Sequence, residues 1–77
     1  MEENKSKVYI LIDKNNRVTR IEGGYTTPAD LTDWILIDEG QGDRYNLAQN
    51  HYLEKPVRDY MTGNYNYKYI NGEIVEV

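Results

Sequence analysis

The chain has 77 residues, with nine basic and thirteen acidic side chains, one histidine and no cysteine, for a net charge of −4. Ordinary domains run to about 100–150 residues, so this is a single small, mildly acidic domain. A disulfide scaffold and a zinc–thiolate cluster are excluded, and non-specific nucleic-acid binding, which needs clustered Lys and Arg against phosphates, is disfavoured.

A fold of this size buries only about 60% of the surface its unfolded chain exposes, which leaves a thin core and makes association with another chain a natural support. No apolar run approaches the roughly 20 residues that span a bilayer, and Met1 to Lys7 carries no hydrophobic signal-peptide stretch. The expectation is a protein made in the cytoplasm, without membrane or nucleic-acid partners; the absence of cysteine fits any compartment. Charge is uneven: residues 1–25 carry five basic against four acidic groups, residues 26–46 one against five, and residues 47–77 three against four.

In chain order, Met1 to Lys7 is polar without periodicity and is expected to be a flexible tail (1–7) ahead of one domain (8–77). Val8 to Asp13 places apolar residues on both alternating faces, as in a central strand covered on two sides. Lys14-Asn15-Asn16 supplies a turn, and Arg17 to Glu22 returns as the second strand of a hairpin over 8–22. A three-residue loop, which pairs Ile12 with Val18, Tyr9 with Ile21 and Asp13 with Arg17, fits the pattern better than a two-residue one. Gly23-Gly24 ends the strand.

Thr27-Pro28-Ala29-Asp30 reads as a helix start, giving a short helical turn near 28–32. A middle strand follows at 34–38, where Trp34-Ile35-Leu36-Ile37-Asp38 echoes Tyr9 to Asp13, and then a loop at Gly40 to Asp43. The spacing of Arg44 with Leu47 and of Tyr45 with Ala48 predicts a short helix near 44–49. Asn50 to Lys55 is expected as a short extended piece before Pro56, and Val57 to Met61 as a further strand. A second hairpin covers 65–77, with Tyr65, Tyr67 and Tyr69 alternating before Asn71-Gly72. The face pattern favours an Ile70-Asn71-Gly72 loop that sets Tyr67 against Val75, Tyr65 against Val77 and Asn66 against Glu76. The fold class is therefore mainly β, or small α+β, built of antiparallel hairpins.

Reactive constellations are missing. Nucleophilic catalysis needs a hydroxyl or thiol beside a base, and the one serine, Ser6, falls in the expected tail. His51 lacks a second histidine or thiol and is given no role. Asp38 to Asp43 has Gly40 and Gly42 where an EF-hand requires ligands, so it reads as a solvated acidic turn. We expect no catalytic, cofactor-binding or metal residues. Eight tyrosines and one tryptophan offer stiff, amphipathic contact area, with Trp34, Tyr65, Tyr67 and Tyr69 as the candidate interaction surface; the tyrosine stripe faces either the core or a partner.

From Trp34-Ile35 and Ile37-Asp38, through Gly40-Gln41-Gly42-Asp43, Tyr45, Ala48-Gln49, Tyr52 and Lys55-Pro56, to Tyr65-Asn66-Tyr67-Lys68 and the last hairpin, the chain resembles a recognisable group. These are small proteins and fibre-terminal segments from the tail modules of phages and prophages of Gram-positive bacteria. The resemblance implies a non-enzymatic structural or assembly role near the tail fibre or baseplate, with protein partners or self-association and a place in the virion tail. It supplies no catalytic residues. The alternatives are a carbohydrate-recognition module, with exposed Tyr or Trp stacking on a glycan, and more remotely a small hydrolase.

Overall fold

The computed structural model describes residues 5–77. The order of elements is β1 (Ser6–Ile12), β2 (Val18–Gly23), a 3-10 turn (Gly24–Thr26), β3 (Ile35–Gly40), α1 (Asp43–Asn46), α2 (Ala48–His51), β4 (Tyr67–Ile70) and β5 (Glu73–Glu76). The architecture is mainly β: a three-stranded antiparallel sheet ordered β2-β1-β3 and a separate β4-β5 hairpin. β1 is central, as its two apolar faces predict, and begins at Ser6, because Ser6 and Lys7 pair with Gly40 and Glu39. The expected tail thus loses two residues to the sheet, and its first four lie outside the described residues.

The first hairpin combines the two registers weighed from sequence. Ile12 pairs with Val18 and the Asp13 N–H bonds the Arg17 carbonyl at 3.1 Å, as a three-residue loop requires. A bulge at Thr19 then shifts the ladder by one, so Leu11 faces Arg20, Ile10 faces Ile21, and Tyr9 faces Glu22 instead of Ile21. The shift sets Ile10 and Ile21 together in the core. A second irregularity, between Val8 and Tyr9, leaves Ile37 unpaired in β3 and sets Asp38 opposite Val8.

The helical turn expected near 28–32 lies upstream, at Gly24–Thr26. The Thr27 hydroxyl donates back to the Gly24 carbonyl at 2.7 Å instead of capping a following helix, and the Asp30 carboxylate takes the N–H and hydroxyl of Thr32. The helix expected near 44–49 is present as two single turns, α1 and α2. Gly24, at φ 57, lies against α1: a Cβ there would meet the Asn46 carbonyl oxygen at 2.2 Å.

Two extended segments are absent. Asn50 and His51 belong to α2 and the chain turns through Tyr52–Lys55. Val57 to Met61 contributes only the Arg58–Tyr65 bridge, because the Asp59 carboxylate accepts the N–H groups of Met61 and Thr62 and curls the backbone into a loop.

The last hairpin takes the other register: Tyr67 pairs with Glu76, Lys68 with Val75, Tyr69 with Ile74 and Ile70 with Glu73. Asn71 and Gly72 both have positive φ, 53° and 83°, the twist that a two-residue hairpin turn needs. Placing Glu76 opposite Tyr67 costs little, because its carboxylate reaches Lys55 at 2.6 Å instead of facing an apolar neighbour.

Val8, Ile10, Val18, Ile21, Ala48 and Tyr67 form the buried core. The hairpin hangs on the first sheet through the Arg17–Lys68 bridge and the Tyr69 N–H, which bonds the Asn16 carbonyl at 2.8 Å.

Candidate functional site

The four aromatics singled out from sequence do not form one surface. Tyr67 is 6% exposed, packs in the core and accepts the Lys55 N–H on its hydroxyl at 3.1 Å, so it is not available as a contact residue. Tyr69, half-buried, packs against the same core. Tyr65 is half-buried with the guanidinium carbons of Arg17 and Arg58 at 5.2 and 5.6 Å from its ring centre. Trp34 stands apart with Arg20 over its ring at 5.3 Å. Cation–π contacts of this kind occupy ring faces that a ligand would otherwise use.

A further aromatic cluster ties the helical turns to β3. Arg44 lies 4.4 Å from the Tyr52 ring centre, Tyr45 meets Tyr52 edge-on at 6.0 Å, and the Tyr52 hydroxyl donates to Asp38 at 2.8 Å. Burial, followed by the hydrogen bond to Asp38, pushes the Tyr52 hydroxyl up to about 12. Asp38 therefore lies in β3, in keeping with the strand expected at 34–38, and holds a tyrosine instead of belonging to the solvated acidic turn expected over Asp38 to Asp43. Among the described residues, no three histidine or carboxylate side chains gather in a way that could hold a metal ion, and no helix is long and apolar enough to cross a membrane.

The exposed large side chains are elsewhere. Tyr60 and Met61 are 92% and 93% exposed, and Tyr25 is 81% exposed. Tyr60 and Met61 are held outward by a tightly bonded loop. Asp59 donates its N–H to the Asn64 carbonyl and accepts that of Gly63 on its own carbonyl, both at 2.8 Å, while Arg58 Nε bonds the Gly63 carbonyl at 2.9 Å. The N–H groups of Thr62 and Met61 hold the Asp59 carboxyl below the usual carboxylate range.

Beside this loop lies a half-open groove of about 520 Å³, with Tyr60 on its wall, Ile21, Leu53 and Pro56 among its apolar lining, and Glu22 in it. Glu22 is 4% exposed. Its Oε2 takes Arg20 at 2.9 Å and the Gln49 amide at 3.0 Å, and its Oε1 has no hydrogen-bond partner among the described residues. Sequence reasoning missed both features. Asp59 followed by Thr62-Gly63-Asn64 is a turn signal that the alternation from Val57 to Met61 masked. The Glu22–Gln49 contact spans 27 residues and has no local signature.

Comparison with protein-family models, with curated proteins and with solved structures finds no match to this chain.

Proposed function

We propose that this chain is a non-enzymatic structural or assembly module of a phage or prophage tail, made in the cytoplasm and acting by protein–protein association. The setting comes from the sequence resemblance. The observation that carries the association is the Tyr60-Met61 knuckle, a nearly fully exposed aromatic–thioether pair on a loop held by the Met61 and Thr62 N–H groups, which donate to the Asp59 carboxylate. Tyrosine is enriched at interface hot spots, and a pre-ordered loop loses little entropy on docking. Mass spectrometry of purified particles and of assembly intermediates tests the proposal; absence from both refutes it.

The carbohydrate-recognition alternative draws support from Tyr25 and Tyr60, whose rings stand largely in solvent, rather than from Trp34 or Tyr65, which carry arginines. Glycan-array binding that is lost in Tyr60→Ala or Tyr25→Ala would favour it. The small-hydrolase alternative rests on no grouping of side chains described above, and only turnover abolished by changing a named residue would bring it forward.

A further inference from the structure

We propose that the two arginines over Tyr65 take an acidic segment of a protein partner, one that carries paired carboxylates. This rests on the reading that the chain works by association, and it names the chemistry of the contact.

Two bridges bring the residues together: Arg58 pairs with Tyr65, and Arg17 pairs with Lys68, three residues further along. The guanidinium carbons of Arg17 and Arg58 then stand 5.2 and 5.6 Å from the Tyr65 ring centre. Each group is also anchored through one nitrogen. Arg17 Nε bonds Asp13 Oδ2 at 2.7 Å, and Arg58 Nε bonds the Gly63 carbonyl at 2.9 Å. Ring and anchor together hold both side chains in place, so less conformational freedom is lost when a ligand arrives. The Nη groups have no hydrogen-bond partner among the described residues, which leaves each guanidinium with its end-on donors free. The Arg17 side chain is 42% exposed and Arg58 is exposed, so a partner reaches both.

Charge selects the occupant. Segments 13–17, 57–60 and 64–68 meet through these bridges and through the bond from the Tyr69 N–H to the Asn16 carbonyl. They hold Lys14, Arg17, Arg58 and Lys68 against Asp13 and Asp59, a surplus of two positive charges in a chain whose net charge is −4. Asp13 is spent on Arg17, and Asp59 accepts the N–H groups of Met61 and Thr62. Among the described residues, no carboxylate forms an ion pair with Lys14, Arg58 or Lys68. Carboxylates elsewhere on the surface are screened over about 8 Å at physiological salt.

Geometry then favours carboxylates on a peptide. The two Nη donors at the end of a guanidinium match the two oxygens of one carboxylate, and two such ends call for two carboxylates. Tyr60 and Met61, nearly fully exposed and just beyond Arg58 on the same loop, add the apolar contact that a protein segment can use and a small anion cannot.

The test is an NMR titration of the full chain, resolving backbone amides and arginine Nε–H groups, with acetyl-Asp-Gly-Asp-amide, acetyl-Asn-Gly-Asn-amide and inorganic phosphate. The expected result is a saturable shift of the Arg17 and Arg58 Nε–H signals and of the Tyr65 amide with the acidic peptide, with an affinity on the order of millimolar. The asparagine peptide should give none, and phosphate should bind more weakly. Arg58→Lys, which keeps the charge but loses the fork, should weaken binding about threefold. Should that variant disturb the loop, the Nε–H shifts of the unaltered chain decide. Equal response to the acidic and asparagine peptides, no saturable shift, phosphate binding as tightly as the acidic peptide, or unchanged affinity in a folded Arg58→Lys variant would overturn the proposal. None of these outcomes bears on whether the chain is found in phage particles, so the two readings fail separately.

Discussion

Replacing Gly24 and Gly72 by alanine, one at a time, separates two costs that glycines usually combine. Both residues have positive φ, 57° and 83°, so each alanine is forced into the left-handed region at about 1–2 kcal/mol. Around Gly72 a new Cβ meets nothing within 4 Å, so the cost stops there. At Gly24 the same atom would stand 2.2 Å from the Asn46 carbonyl oxygen and 2.5 Å from both the Asn46 carbonyl carbon and Cα. These are backbone atoms of α1, which cannot swing aside as the tip of a side chain can. Relief requires α1 to move away from the sheet, and overpacking of this kind adds about 1–3 kcal/mol. Gly24→Ala should therefore cost about 2–5 kcal/mol, against about 1–2 for Gly72→Ala. With a urea slope near 1 kcal/mol per molar, expected for so small a chain, the midpoint should fall by about 1–2 M for Gly72→Ala and by clearly more for Gly24→Ala. Since total stability at this size is only a few kcal/mol, Gly24→Ala should be largely unfolded in buffer. Equal midpoints for the two variants would refute the close approach of Gly24 to α1.

Tyr52 should titrate late, with its hydroxyl pushed up to about 12. Its folded pKa lies above its unfolded one, so its contribution to stability is complete below pH 10 and is lost as pH rises towards about 12. Phenolate absorbance should show this late titration and its loss in Tyr52→Phe. Tyr67→Phe removes the acceptor of the Lys55 N–H and should lower stability by about 1 kcal/mol in urea melts, whereas Tyr60→Phe should change nothing. Asp59→Ala should speed amide exchange at Met61 and Thr62 while leaving β1 protected, because only the loop loses its acceptor.

What could be read from sequence was whatever a single segment decides. β1 was legible as the central strand because Val8 to Ile12 is apolar on both faces, and the helical turns at 43–51 because Tyr45 and Ala48 share a face. Choices between segments were not legible. The bulge at Thr19 is fixed by bringing Ile21 onto Ile10, a contact that no local pattern reveals. Asn71-Gly72 marks a turn by itself, but the register of its hairpin does not follow from matching faces. The hairpin is free of that constraint, since Glu76 finds Lys55 and only the face with Tyr67, Tyr69 and Ile74 packs on the core. The same limit hid the candidate site. Tyr65, Tyr67 and Tyr69 look alike in sequence, but one is buried and one carries two arginines, while the exposed Tyr60 sits where alternation suggested a strand.

The placement of apolar groups bears on function through energetics. Full burial of a large apolar side chain stabilises a fold by about 1.5–3 kcal/mol, comparable with the whole stability expected here. Yet Tyr25, Tyr60, Met61 and Val77 are each at least 75% exposed, while six buried side chains hold the core. Tyr60 and Met61 are not outside for want of order, because Asp59, Arg58 and Gly63 bond the loop that carries them. A fold that fixes such groups in water forgoes stability, and a partner that covers them returns it by mass action on the folded state. On the proposed association, the melting temperature should rise with the concentration of a protein that docks on the knuckle, and Tyr60→Ala, at a position 92% exposed, should suppress that rise. An unchanged rise in Tyr60→Ala would place the contact away from the knuckle.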